Sequence, residues 1–243
     1  MNARLQSTQA PSFELDAEQS LGQIAVELPG ATAVFRRLKL DFCCGGQVSL
    51  RQSAQDKGLD LQPLLAELGA LQREGQVDLA GDPASLIAYI LERYHAVHRA
   101  QLPELLRMAR RVEAVHRDNP HVPAGLADLL ETMEQELLEH MDKEEQILFP
   151  ALQSAEQYVV DQPIAMMRSE HLGHADLLAS LSELTQGATP PPGACNTWRA
   201  LYAGVAQLTD DLLAHIHLEN NVLFAGFDQP VVAKSPCCGS CGG

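Results

Sequence analysis

From Pro83 onward the chain repeats one pattern. Long stretches in which apolar residues recur every third or fourth position alternate with short stretches rich in Pro, Gly and polar residues. The recurrence marks one buried face of an α-helix. The first stretch opens at Asp82-Pro83, an acidic N-cap followed by proline in the first turn, and runs to about Asn119, ahead of Pro120. Pro103 inside it predicts a kink. The second opens at Pro123 and continues through Pro150 to about Ser154. The third runs from near Pro163 to Gln186, and Gly187-Ala-Thr-Pro-Pro-Pro-Gly193 then forbids helix. The fourth begins at Cys195 or Asn196 and ends around Phe224-Ala-Gly226. Long helices joined by short connections predict an all-α protein built on an antiparallel four-helix bundle.

Ahead of the bundle the pattern is shorter. Leu21, Ile24, Ala25 and Leu28 have helical spacing before Pro29-Gly30; Val34, Phe35 and Leu38 belong to a second helix that ends near Asp41-Phe-Cys-Cys-Gly-Gly46. Ser49 to Gln55 and Leu61 to Leu71 supply two more. The expected organisation is therefore an unstructured lead over residues 1–13, a small helical domain over 14–76, a linker over 77–82, the bundle over 83–228 and a Cys/Gly-rich tail over 229–243.

The bundle seams contain residues that do not belong in a core. Leu126, Leu130, Met133, Leu137, His140, Glu144 and Ile147 follow one 4/3 stepping, and Leu201, Val205, Leu208, Leu212, His215, Glu219 and Val222 repeat it 75 residues later. On a helix a His and a Glu four apart share a face, about 6 Å of rise from one another. Each His-x3-Glu thus points inward, where an ionisable pair is costly unless compensated. The preceding helices carry His95-x2-His98 and His171-x2-His174, again on apolar seams. One histidine on an apolar face is ordinarily a core residue, and one His-x3-Glu ordinarily a surface ion pair. Two copies in register, each preceded by His-x2-His, instead point to a paired-metal site between facing helices. Spacing allows His95 or His98, and His171 or His174, as the imidazole from each of those helices.

Imidazole and carboxylate without thiolate suit iron, manganese or zinc. If Glu144 and Glu219 bridge two divalent ions, six protein groups leave the shell incomplete, and a bridging oxide or hydroxide would complete the charge balance. Glu136, one turn before His140, and Glu170, beside His171, are candidate supporting or proton-handling acids.

Composition narrows the partners. A formal charge of −15 with no long Lys/Arg run argues against nucleic acid or an anionic membrane surface. No signal-like start and no run of roughly 18 apolar residues are present, so the expected location is the cytoplasm. The cysteines fall as Cys43-Cys44, Cys195 and Cys237-Cys238-x2-Cys241, adjacent or terminal rather than spaced as a disulfide framework.

Several stretches together carry a resemblance: Asp41-Phe-Cys-Cys-Gly-Gly46, Arg93-Tyr-His95-x2-His-Arg-x-Gln-Leu-Pro-Glu104, Lys143-Glu-Glu-Gln-Ile-Leu-Phe-Pro150, Pro190-Pro-Pro-x-Ala-Cys195 and Leu218-Glu-Asn-Asn-Val-Leu-Phe224. Over about residues 18–228 the chain resembles the Repair of Iron Centres family of hemerythrin-like di-iron bundles. The resemblance implies two non-haem iron ions, bridged by oxide or hydroxide, on His95, His140, Glu144, His171, His215 and Glu219, with His98 and His174 as neighbours. It implies a homodimer that restores iron–sulfur proteins damaged by nitric oxide or oxygen species, by supplying labile iron. Reduction of nitric oxide or oxygen species, or gas sensing at the same centre, is the alternative. Cys43 and Cys44 match the family's thiol pair, suited to redox exchange or to accepting iron. Ser235-Pro-Cys-Cys-Gly-Ser-Cys-Gly-Gly243 departs from the family pattern; its thiols could hold a soft metal or exchange with Cys43-Cys44.

Overall fold

The computed structural model describes residues 15–28, 31–71, 82–154 and 160–228. All of the expected lead, most of the linker and the whole Cys/Gly-rich tail, with Pro29-Gly30, lie outside those residues.

The N-terminal helices begin where the sequence offers a side chain to cap them. Helix α1 (Leu21–Glu27) starts after Ser20, whose hydroxyl accepts from the Gln23 N–H while the Gln23 side chain accepts from the Ser20 N–H. Helix α2 spans Ala31–Arg37; α3 (Leu50–Asp56) and α4 (Leu61–Ala70) follow the caps Ser49 and Asp60. Leu21, Ile24, Phe35, Leu50 and Leu68 are fully buried and join the same apolar cluster as Leu102, Leu105 and Leu212 of the bundle. The small unit and the bundle therefore share a core.

In the bundle, α5 (Pro83–Ile90) passes through a π turn, Leu91–His95, into α6 (Ala96–Val115). Helix α7 (Leu126–Lys143) starts at Gly125, left-handed at φ 90°, and passes through a π turn, Glu144–Leu148, into α8 (Phe149–Gln153). Helix α9 spans Asp161–Leu184; α10 (Asn196–Leu218) ends in a π turn, Glu219–Leu223, and a 3₁₀ turn, Phe224–Phe227. Ion pairs fix the antiparallel sense: Arg99 meets Asp142 and Arg110 meets Glu131 across α6 and α7. Across α6 and α10 the Gln101 amide donates to the Gly204 carbonyl, and His116 lies 3.2 Å from the Cys195 thiol.

The backbone departs from α geometry where the chemistry sits. The Ala96, Phe149 and Phe224 N–H groups each bond to the carbonyl five residues back, on Leu91, Glu144 and Glu219. One π turn ends at His95 and the other two begin at Glu144 and Glu219. Such turns widen a helix locally and recur at functional sites. Helix α6 includes the exposed Pro103 without a break, and the change of hydrogen-bond pattern in this helix lies upstream, at 91–95.

Along each bundle helix the core is split. Ile87 and Ile90, Leu148 and Phe149, Ile164 and Met167, and Leu223 and Phe224 form one apolar cluster. Leu102 and Leu105, Met133 and Leu137, Leu178 and Leu181, and Leu208 and Leu212 belong to the other. The buried His and Glu residues occupy the layer between. Among the described residues no helix is long and apolar enough to cross a membrane.

The loop after α2 seats closely on the end of α10. A Cβ at Gly46 would stand 2.5 Å from the Phe42 carbonyl oxygen and 2.8 Å from Asn221 Oδ1. Gly46→Ala is expected to lose about 1–3 kcal/mol of stability, measured as a lower urea midpoint, because the obstacle is backbone and cannot rotate away.

Candidate metal centre

Four imidazoles and two carboxylates meet in the polar layer. His95 enters from the first bundle helix, His140 and Glu144 from α7 and its π turn, His171 from α9, and His215 and Glu219 from α10 and its π turn; all are at most 1 % exposed. Their donor atoms form two groups, His95–Glu144–His215–Glu219 and His140–Glu144–His171–Glu219, each with atoms within 4.8 Å of one another. Both groups use both glutamates.

The distances suit donor atoms that converge on shared cations. His95 Nε2 is 3.2 Å from His215 Nε2, and His171 Nε2 is 3.1 Å from His140 Nε2. Glu144 Oε2 and Oε1 lie 3.4 Å from His95 and 3.3 Å from His140. Glu219 Oε2 and Oε1 lie 3.1 Å from His171 and 3.0 Å from His215. Two ligands about 2.1 Å from one metal, at angles near 90–110°, stand about 2.9–3.4 Å apart. Both Glu144 oxygens and Glu219 Oε2 have no hydrogen-bond partner among the described residues. Buried carboxylate oxygens left this way are strongly disfavoured unless a cation compensates them.

The outer nitrogens orient the inner ones. His95 Nδ1 is 2.8 Å from Glu145 Oε1, His140 Nδ1 is 2.9 Å from Glu170 Oε2, and His171 Nδ1 is 2.9 Å from Asn220 Oδ1. Each acceptor holds the proton on Nδ1 and turns the Nε2 lone pair inward, the tautomer a metal ligand needs. Glu145 is tied to Arg99 at 2.7 Å, and Glu170 to Lys143 at 2.7 Å. His215 has no Nδ1 partner among the described residues; its ring instead lies parallel to Tyr94, 5.2 Å between centres.

The electrostatics without a metal follow from the same contacts. Burial disfavours the charged form of His140, but Glu144, with Glu219 and Glu170, outweighs it and pushes its pKa up to about 9. Burial likewise opposes ionisation of Glu219, yet His215 and His171 hold it well below the usual carboxylate range. At His140 the carboxylates thus favour a positive charge, whereas burial pushes His215 down. His98 and His174 behave oppositely: burial and the neighbouring imidazoles, His215 and His95 for one, His140 and His171 for the other, push them down to about 2 and about 3. Both stay neutral, and neither contributes a nitrogen to the two donor groups.

Glu170 contacts His140, whereas Glu136 does not reach the centre: it is exposed on α7. At about 100° per residue it projects roughly 40° from His140 on the side away from Met133, Leu137 and Glu144. Sequence spacing did not single out Glu145, Arg99 or Asn220. The signal for Glu145 was the need of His95 for an outer acceptor; Asn220 could have been flagged as a polar residue directly after a bridging-type glutamate.

Cys43 and Cys44 lie beside this layer without entering it. Asn220 accepts from His171 and donates to the Cys43 carbonyl at 3.2 Å, and Cys44 Sγ is 3.9 Å from the His171 carbonyl. Asn221 and His217 also bond to the loop, Asn221 to the Cys43 carbonyl at 3.1 Å and His217 to the Phe42 carbonyl at 3.2 Å. Cys43, Cys44 and the Asp41 carboxylate form a third group of donor atoms within 4.8 Å. Hydrogen bonding between the thiols lowers the pKa of Cys44 and raises that of Cys43, which burial raises further. Cys44 is the more acidic, more exposed thiol. Cys237, Cys238 and Cys241 lie outside the described residues.

Glu145→Gln and Glu170→Gln are each expected to weaken metal binding about 10–100-fold while leaving the fold intact. Competition with a chromophoric chelator measures the first effect and circular dichroism the second.

The Hemerythrin HHE cation binding domain family matches residues 86–226, and the ScdA N-terminal family, described as a Domain of Unknown function, matches residues 17–72. Iron-sulfur cluster repair protein YtfE of Yersinia pseudotuberculosis serotype O:1b (strain IP 31758) is 49% identical over 209 residues, 85% of this chain and 95% of that one. The protein of the same name from Yersinia pestis (strain Pestoides F) gives the same identity and coverage. With a bundle that carries two His-x3-Glu copies in one buried layer, and relatives at this identity over nearly their whole length, the chain belongs to the hemerythrin-like iron–sulfur cluster repair family.

Proposed function

We propose that this protein repairs damaged iron–sulfur clusters by supplying iron from a di-iron centre. The observation that carries this reading is the pair of donor groups that share Glu144 and Glu219, with three of the four shared oxygens lacking a hydrogen-bond partner among the described residues. His95 and His215 would hold one ion, His140 and His171 the other, and both glutamates would span the two. Bound iron supplies Lewis acidity and one-electron chemistry. The chain's residues orient the lone pairs, exclude bulk water and set how firmly each position is held. Six protein groups shared by two ions leave positions for exchangeable ligands, which favours a labile store over a permanent structural site.

The thiol pair supports the direction of transfer. Asn220 links His171 to the loop of Cys43 and Cys44, so the His140–His171 position stands next to soft donors. Cys44, the more acidic thiol, is the better acceptor for iron leaving that position. The relatives' name, iron-sulfur cluster repair protein, agrees with this reading.

The enclosure of the centre between two apolar clusters favours a second reading, reduction of a small uncharged molecule such as nitric oxide. Product yield separates the two: many nitrous oxide molecules per protein mark a catalyst, and a single stoichiometric event marks a donor.

Protein loaded with ferrous iron under anaerobic conditions, mixed with a nitrosylated cluster enzyme, is expected to restore that enzyme's activity. The His140→Ala, Glu144→Ala double variant should restore none, and equal recovery with it would sink the donor reading. Loading should also raise the melting temperature, since a ligand at 100 times its Kd contributes about 2.7 kcal/mol; equal melting with and without chelator would contradict an internal site.

A further inference from the structure

Two imidazoles of the polar layer are unused by the donor groups. His98 lies three residues past His95, and His174 three past His171, both on the side facing the larger apolar cluster. They are 0% and 4% exposed. Both ring nitrogens of His98 and Nδ1 of His174 have no hydrogen-bond partner among the described residues. Burying a polar atom this way forfeits its hydration without return. Packing alone does not require it. The matching positions on the other two helices, one turn from His140 and His215, are Leu137 and Leu212, which fill the same level with apolar atoms.

The two rings stand at different ends of the centre. The His98 ring centre is 5.5 Å from that of His215, in the first donor group. The His174 ring is 4.8 Å from that of His140, in the second, and nearly perpendicular to it at 84°. Each donor group therefore has one extra imidazole beside it whose nitrogens are not among its ligand atoms. A neutral imidazole carries one N–H donor and one acceptor nitrogen. Tyr94 stacks on the His98 ring, 6.3 Å between centres, and the next core residues along the four helices, Leu102, Leu137, Leu178 and Leu212, are apolar.

We propose that His98 and His174 each hydrogen-bond a small exogenous ligand of the neighbouring metal position, a two- or three-atom molecule rich in nitrogen or oxygen: His98 beside the His95–His215 pair and His174 beside the His140–His171 pair, each donating its N–H to the ligand's outer atom. A neutral imidazole N–H among apolar core residues favours a small dipolar or anionic ligand as its acceptor. The position of the two imidazoles on the core side of the layer is opposite the cluster of Leu148, Phe149, Leu223 and Phe224. The inference rests on the reading that the layer holds metal.

Azide is a suitable probe, with full-length protein loaded with iron and oxidised. Metal content, azide affinity by optical titration and the infrared stretch of bound azide are measured for the natural chain, His98→Leu, His174→Leu and the double variant. The expected result is unchanged metal content, azide binding weakened roughly tenfold or more in the double variant, and a shifted stretch. Each apo variant should melt no lower than the natural apo protein, since the substitution removes an unpaired buried group. His98→Gln, which keeps a donor, should recover part of the affinity and serves if a leucine variant does not fold. Unchanged affinity and stretch in a metal-replete double variant would overturn this inference alone. Loss of metal in the variants would also overturn it, by making the two histidines ligands. An iron-free natural chain would overturn the di-iron reading itself.

Discussion

Two carboxylates, Glu144 and Glu219, are fully buried between imidazole pairs in the middle of a hydrophobic bundle, and everything else about the molecule accommodates them. A buried carboxylate without partners is among the costliest groups a fold can contain. Here each carboxylate lies against two imidazoles from different helices, so the cost is reduced only when a positive charge occupies the space between. Protons on groups such as His140 are one such charge, and a divalent ion is a better one because it engages several donors at once. The layer is consequently a site whose chain stability and metal affinity are the same quantity measured in two ways.

The fold holds this layer by distributing strain and support along the helices. The three π turns put one extra residue into the chain beside His95, Glu144 and Glu219, re-aiming those side chains while leaving the helices otherwise continuous. A proline follows one of them: Pro150 sits where a regular helix would need its N–H, and the wider turn just before it suits a chain already departing from α hydrogen bonding. Apolar clusters above and below exclude water, which strengthens each polar contact within the layer. The small N-terminal unit closes one side by hydrogen bonds from Asn220, Asn221 and His217 to the loop of Cys43 and Cys44, so its docking reports directly on the His171 end.

The helices and the inward direction of His140, Glu144, His215 and Glu219 were readable because burial imposes a 3/4 period, and a polar residue that keeps the period must face the core. The cap at Asp82 was readable for a similar reason: an unsatisfied helix start demands an acceptor. Period could not choose between His95 and His98, since both lie on the seam and differ by one turn of depth. Depth is set by how four helices register against one another, which one strand of sequence does not record. The π turns were invisible: Ile147 keeps the 3/4 stepping in the sequence, yet the extra residue of the Glu144–Leu148 turn rotates it off the seam, and it is 62% exposed while Leu148 is buried in its place. Glu136 failed for the converse reason: a residue one turn from a ligand can still lie on the solvent edge of the seam.

The duplicated sequence suggests two equal halves, but the outer contacts make them unequal. In each donor group one imidazole is backed by a carboxylate and the other is not. His95 has Glu145 and His140 has Glu170, both anchored by cations, whereas His215 has a stacked tyrosine and His171 an amide. A carboxylate behind an imidazole raises its basicity and fixes its aim; an amide or a ring face does so less. Each ion position therefore has a firm side and a yielding side. At the second position the yielding side is His171, and its amide partner is the group that grips the backbone of Cys43. Movement of the thiol loop therefore bears on that amide, which joins His171 to the backbone of Cys43. There the support is an amide hydrogen bond in place of the carboxylate that backs His140.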